Sequence, residues 1–194
     1  GGGAHRTPKD ISKEYPFKGR LWERIRVIGQ WLFRHDPFFI TSQKRASAIL
    51  LCNLDSVAMV PKKWSHKVHL FPVSGVATAE LDMSTDEPDH KRRFCILSAG
   101  SLIRVKGFGL AIKAFKEFSD KHPESQLSIF GSGPEEPRLK ELIQATHLQD
   151  KVNLIPTIPR DLLLSKMAAS DVVLFPSMRD GGGTVVIEAM SVGK

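Results

Sequence analysis

Apolar positions in this chain change their spacing from segment to segment, and the changes mark out its elements. In "GRLWERIRVIGQWLFR", Leu21, Trp22, Ile25, Ile28 and Leu32 recur at helical spacing, with Arg20, Arg24 and Arg34 among the polar positions. That pattern predicts an amphipathic helix. "DPFFITS" reads as a short strand after Pro37, and "SQKRASAILL" as a helix with Ser42 near its N-cap. "VHLFPVSGV" reads as a strand that ends at a Ser74-Gly75 turn. Residues 1–18 read as loop, and the polar, acidic-then-basic stretch 77–93 as an interdomain linker.

Past the linker the rhythm becomes regular. "FCILSAG" predicts a strand, and "GLAIKAFKEF" a helix burying Leu110, Ala111, Ala114, Phe115 and Phe118. "QLSIFGSGP" is a strand with a Gly/Pro loop. "EPRLKELIQAT" is a helix with Glu135 and Glu136 at its positive end. "VNLI" is a strand, "PRDLLLSKMAAS" a helix with Pro159 near N1, "DVVLFP" a strand, and "GTVVIEAM" a helix start. Short apolar strands alternating with helices predict an α/β fold: a Rossmann-like, doubly wound parallel sheet. In such sheets ligands bind at the carboxyl ends of the strands. The Gly-rich turns fall there: Gly100, then Gly131 and Gly133, then Gly181, Gly182 and Gly183.

Composition narrows the classes. Hydrophobic content is 41% and charged content 25%, ordinary for a globular chain of 194 residues. The net charge of +7 is spread evenly, with 13 basic against 10 acidic side chains in residues 1–90 and 15 against 11 in residues 91–194. No block of basic residues suggests a nucleic-acid partner. Anionic small molecules or an anionic membrane surface fit better, beside the plain alternative of a solvated basic surface. Cys52 and Cys95 each sit in an apolar run and read as buried free thiols in a reducing compartment. No apolar run approaches transmembrane length. The chain opens without methionine and stops at Lys194 just after a helical pattern, so a fragment cut at both ends is expected.

The anion site has several possible forms. "GSGP" supplies Gly131 and Gly133, but Glu136 stands where a dinucleotide fingerprint needs its third glycine. The terminal "VGK" is no P-loop, because Glu188 occupies the first glycine position. His66 and His69 form an H-x-x-H without a third ligand at suitable spacing, so no metal site is assigned. In "RDGGGTVVIEAM" three glycines separate Asp180 from a helix carrying Glu188. Glycines let a backbone approach a ligand closely, and a helix start offers unpaired N–H groups to an anion. The other reading is a tight helix–strand packing turn with Glu188 on a solvated face.

Four landmarks in order carry a resemblance to a known family. They are "AGSLIRVKGFGLAIKAF", "LSIFGSGPEEPRLKEL", "VNLIPTIPRDLLLSKMAASDVVLFPS" and "RDGGGTVVIEAMSVGK". Together they resemble the nucleotide-sugar-binding domain of the family 4 glycosyltransferases, which have the GT-B fold. The likeness covers residues 94–194 well. Residues 38–76 resemble the end of that family's acceptor domain, and the first 35 match faintly. The domains implied are 1–76 for the end of the acceptor domain, 77–93 for the linker and 94–194 for an incomplete nucleotide-sugar domain.

The resemblance implies a retaining, metal-independent transfer of a sugar from a nucleoside-diphosphate donor to a hydroxyl acceptor, with no further cofactor. It implies a cell-envelope glycan or lipid-linked oligosaccharide as acceptor, and a cytoplasmic protein, in one reading at the inner face of the plasma membrane. It carries over Lys106 and Asp180 as catalytic residues. It places the donor against Gly100, Ser101, Arg104, Lys106, Gly131, Gly133, Asp180, Gly181, Gly182, Gly183, Thr184 and Glu188. Lys106 would meet the diphosphate, Glu188 the ribose diol and Asp180 the transferred sugar. Phe108 reads as core, and residues 156–158 as neighbours of the base. Two departures stand out. Asp180 is one methylene shorter than the usual Glu. Ser101 replaces an Arg that meets the diphosphate, a role Arg104 could fill. A nucleotide-sugar epimerase on the same fold and an inactive binding module are the rival readings. The helix at 19–34 is either core of the acceptor domain or a helix lying on an anionic membrane.

Overall fold

A computed structural model of the chain describes residues 17–71, 75, 93–178 and 183–194. They fall into two units, one of residues 17–71 and one of residues 75, 93–178 and 183–194. The linker expected at 77–93 lies outside the described residues apart from Arg93.

In the first unit α1 (Phe17–His35) forms where helical periodicity predicts it. Its orientation inverts the usual arrangement. Glu23, Arg26, Val27 and Gln30 are half-buried, while Leu21, Trp22, Ile25, Ile28 and Leu32 are exposed. No core for the apolar stripe is therefore present among the described residues of this unit. Arg34 donates to the Ala58 carbonyl at 2.9 Å.

The next segment corrects the sequence reading twice. "DPFFITS" is not a strand but the body of α2 (Pro37–Arg45). Asp36 is its N-cap, its carboxylate accepting from the N–H groups of Phe38 and Phe39 at 2.7 and 3.1 Å. Pro37 sits at the helix start, where its fixed φ suits a helix and its missing N–H costs nothing. Asp-Pro was thus a helix-start signal, and the aromatic pair after it imitated a strand. Ser42 lies inside this helix, and "AILL" supplies a strand, β1 (Ile49–Leu51), where a helix was expected. The helix ends at Arg45, where Ala46 turns extended, and Lys67 satisfies carbonyls there, donating to those of Lys44 and Ala46 at 2.8 and 2.9 Å. A short helix α3 (Leu54–Val57) and a 3-10 segment (Lys62–Lys67) burying Trp64 lead to β2 (Val68–Leu70). β2 pairs parallel to β1, Ile49 opposite Val68 and Leu51 opposite Leu70. Cys52, just past β1, is exposed and Cys95 is half-buried, so the burial expected of both thiols is not found. β1 is a short strand with its middle residue exposed, and it offers no interior for the thiol beyond its end.

The second unit follows the predicted rhythm. β3 (Cys95–Ala99), α4 (Phe108–Lys121), β4 (Gln126–Phe130), α5 (Glu136–Ala145), β5 (Val152–Ile155), α6 (Arg160–Ala169), β6 (Val172–Val173) and α7 (Thr184–Ser191) succeed one another. The four strands form one parallel sheet in the order β5-β4-β3-β6. The chain therefore winds outward from β3 to β5, then returns to the other side of β3. That is double winding, and its reversal lies between β3 and β6.

Alternation along the strands fills both faces. Leu127 and Ile129 of β4 pack with Phe108, Ile112, Phe115, Leu139 and Ile143. Leu97 and Ala99 of β3, with Phe130, pack with Leu164, Met167, Ala168 and Val192. Phe108 is core, as expected. On α4 the buried face is centred one residue away from the expected set. Ile112 is fully buried and Ala114 is exposed, because the stripe 108–111–112–115–119 follows helical spacing around Ile112. Pro159 is the N-cap of α6 and not its first turn. Among the described residues no helix is long and apolar enough to cross a membrane.

Candidate functional site at the switch point

The loops after β3, β4 and β6 meet at the carboxyl end of β3, and backbone contacts lock them together. Gly100 N–H donates to the Phe130 carbonyl and Leu102 N–H to the Ser132 carbonyl, each at 2.9 Å. Glu135 N–H returns to the Leu102 carbonyl at 2.9 Å. On the other side, Met178 N–H donates to the Val105 carbonyl at 2.9 Å, and Ser98 Oγ to the Leu174 carbonyl at 2.7 Å.

Two glycines allow this closeness. Gly131 has φ 155°, and a Cβ there would collide with the backbone carbonyl of Gly100. Gly107 has φ 73°, and a Cβ there would strike the carbonyl of Pro176. Both partners are main chain and cannot swing aside. Gly131 is therefore explained by the meeting of two loops, whatever ligand the site takes. Gly133 lies beside the backbone of Leu102 in the same way.

Lys106 ends the 3-10 turn Arg104–Lys106 and folds back over the end of β3. Its side chain lies beside Gly100, and its ammonium stands 5.6 Å from the centre of the Phe175 ring. The cation is thus poised between the β3 and β6 loops, a cation–π geometry of modest strength. Ser101 is exposed. Arg104 makes an ion pair with Glu135 at 3.2 Å, and Glu135 also accepts from Arg138 at 2.7 Å. In this arrangement Glu135 shares its charge between two guanidiniums at the start of α5.

Asp180, Gly181 and Gly182 lie outside the described residues. Gly183 is the N-cap of α7, and Thr184, the first residue of that helix, is exposed. Glu188 lies one turn further on and is buried. Its Oε1 accepts from Nε of Arg160 at 2.7 Å. The reading of Glu188 as a solvated surface carboxylate is excluded. Arg160 escaped the sequence reading, since nothing in "IPRDLL" points to a carboxylate 28 residues away. Only the packing of α6 against α7 brings the two together.

A doubly wound parallel sheet with a core on each face defines an α/β domain as the class, and Lys106 and buried Glu188 lie on elements that follow β3 and β6. Residues 82–194, more than half of the chain, match the family Glycosyl transferases group 1, and the chain belongs to that family. An uncharacterized glycosyltransferase of Haemophilus influenzae is 40% identical over 130 residues, covering 67% of this chain and 36% of that protein. The alpha-D-kanosaminyltransferase of Streptomyces kanamyceticus is 24% identical across 89% of this chain and 46% of its own length. The chain thus spans between a third and a half of these relatives. Among solved structures, the pneumococcal O-GlcNAc transferase GtfA, in complex with UDP and GlcNAc, superposes with a TM-score of 0.64 at 22% identity, over 81% of this chain and 31% of that one. WaaG, a glycosyltransferase involved in lipopolysaccharide biosynthesis, superposes with a TM-score of 0.60 at 15% identity, over 95% of this chain and 51% of its own. At these identities the structures establish the fold, an α/β arrangement of GT-B glycosyltransferase type.

The packing of the loops makes a direct prediction. Gly131→Ala forces a left-handed conformation and a backbone collision at once. It should lower unfolding stability by at least about 1–3 kcal/mol in urea titration. An unchanged midpoint would mean the loops can part without cost.

Proposed function

We propose that this chain carries the donor-binding half of a glycosyltransferase, which moves a sugar from a nucleoside-diphosphate donor to a hydroxyl acceptor. The observation that carries the reading is Lys106 standing between the β3 and β6 loops, with Glu188 buried in the helix that follows β6. The charge of Lys106 and the positive end of the α7 dipole suit a diphosphate, and would stabilise charge growing on it as it leaves. Glu188, as a carboxylate, can accept from a ribose diol. Asp180 would accept from a hydroxyl of the transferred sugar, and Gly181 and Gly182 would let the backbone approach it. Retention and independence of metal are part of this proposal. The acceptor oxygen would bond to the anomeric carbon on the face from which the diphosphate departs. UDP is bound in the solved GtfA and Anabaena HepE complexes, which supports a nucleotide donor here.

The acceptor, in the same proposal, is a cell-envelope glycan or a lipid-linked oligosaccharide, met at the cytoplasmic face of a membrane. A specific observation favours the membrane. α1 turns Leu21, Ile25, Ile28 and Leu32 outward, with Trp22 and Trp31 exposed and Arg20 and Arg24 flanking them. Apolar residues edged by arginine suit the surface of an anionic bilayer.

Three kinds of experiment test these statements. Glu188→Gln removes a charge and an acceptor, and should weaken binding of the tightest of UDP, GDP and ADP by about 1.5–3 kcal/mol in calorimetry. Lys106→Ala should leave the bare nucleoside bound and weaken the diphosphate. Equal affinities in mutants and parent would overturn both assignments. In the whole protein, release of nucleoside diphosphate only when acceptor is present separates a transferase from an epimerase or an inactive module. For the membrane, anionic vesicles should shift tryptophan emission to the blue, with partial reversal by salt. Trp64 is buried and contributes a constant background. No shift would make the stripe a surface for packing against protein.

A further inference from the structure

Arg160 stands where a cation is unfavourable. It is the first residue of α6, at the positive end of the helix dipole, where acidic side chains are preferred. Asp161 beside it follows the rule and Arg160 breaks it. Pro159 before it fixes the approach of the chain, so the guanidinium leaves the helix start in a set direction. Its partner is Glu188, whose side chain is only 9% exposed against 48% for that of Arg160. The arginine therefore brings charge from the protein surface to a carboxylate inside it. Buried ion pairs add little net stability, because desolvation offsets attraction. Such a pair is better explained by what it holds in place.

Resting on the proposed donor site, we propose that Arg160 is a positioning residue that keeps the Glu188 carboxylate aimed at the ribose. A 2.7 Å bond from Nε to Oε1 anchors that oxygen and restricts how the carboxylate can turn. That restriction limits the directions from which Glu188 can accept from a sugar diol. Arg160 also follows the segment 156–158 after β5, so it links the loop beside the β4 turn to the helix that opens the β6 side. The pair thereby makes recognition of the ribose depend on α6 and α7 together. It also gives the site a means of telling a ribonucleotide from a deoxyribonucleotide.

The test uses the full chain and calorimetry. UDP, GDP and ADP are compared first, and the tightest binder is then compared with its 2′-deoxy counterpart. The parent should prefer the ribonucleotide by about tenfold, the value of one charge-assisted hydrogen bond. Arg160→Ala should reduce that preference to about twofold or less, and Arg160→Lys should restore part of it, since it returns the charge without the fixed fork. In the Glu188→Gln background, Arg160→Ala should bring no further loss, because the two act as one unit. Arg160→Met, which keeps most of the aliphatic stem and has no donor, replaces the alanine variant if that one melts at a lower temperature. A ribose preference that survives loss of Arg160, or losses that multiply in the double variant, would overturn the inference while leaving the donor site standing. Absence of binding by any of the three nucleotides in the parent would overturn the donor site and this inference with it.

Discussion

The contact on which the rest of this structure depends is the close meeting of loops at the carboxyl end of β3. The carbonyl of Gly100 occupies the space a side chain at 131 would need, and the carbonyl of Pro176 does the same at 107. These contacts draw the β4 and β6 loops against the β3 loop from either side. Double winding makes a crevice at that point in any such sheet. Here the missing side chains let the crevice floor be made of backbone. Lys106 is then the side chain that crosses it, bounded by Gly100 on one side and Phe175 on the other.

Polar side chains around the crevice are held in pairs. Glu135 is shared by Arg104 and Arg138, and Glu188 is joined to Arg160. An unpaired charge in a partly buried site pays a desolvation cost that nothing offsets. The pairs hold each group in one orientation before any ligand arrives, which reduces the ordering cost of binding. The Arg104–Glu135 pair also bears on Ser101. For Arg104 to meet a diphosphate in place of the usual arginine, it would have to trade one anion for another at the start of α5.

Much of the second unit was legible in the sequence because it obeys local rules. Its strands are short apolar runs closed by glycine, and its helices carry one stripe each. The β3-β4-β5 rhythm therefore appeared in order, and the glycine turns marked the strand ends where the loops meet. The first unit was less legible for a physical reason. Asp36 and Pro37 form a helix start whose next two residues are aromatic, and aromatic residues favour strands when read alone. The end of α2 is capped by Lys67, a partner that no local pattern reveals. The same holds for Arg160. Pairings across more than twenty residues belong to the fold, and single-chain spacing does not display them. Ala114 was a smaller case, in which several alanines and phenylalanines gave two possible stripes and Ile112 decided between them.

The central claim is that the three loops at the β3 end form one site for a nucleoside diphosphate. Mapping backbone amide shifts during titration with UDP, GDP and ADP tests it most directly. The account predicts that one of them perturbs Gly100, Lys106, Gly131, Gly183 and Glu188 together. Phe94, Gln126 and Val152, at the opposite ends of the strands, should stay unmoved. Shifts centred on that opposite end, or on the roughly 460 Å³ cavity lined by Lys140, Gln144 and Asn153, would contradict it.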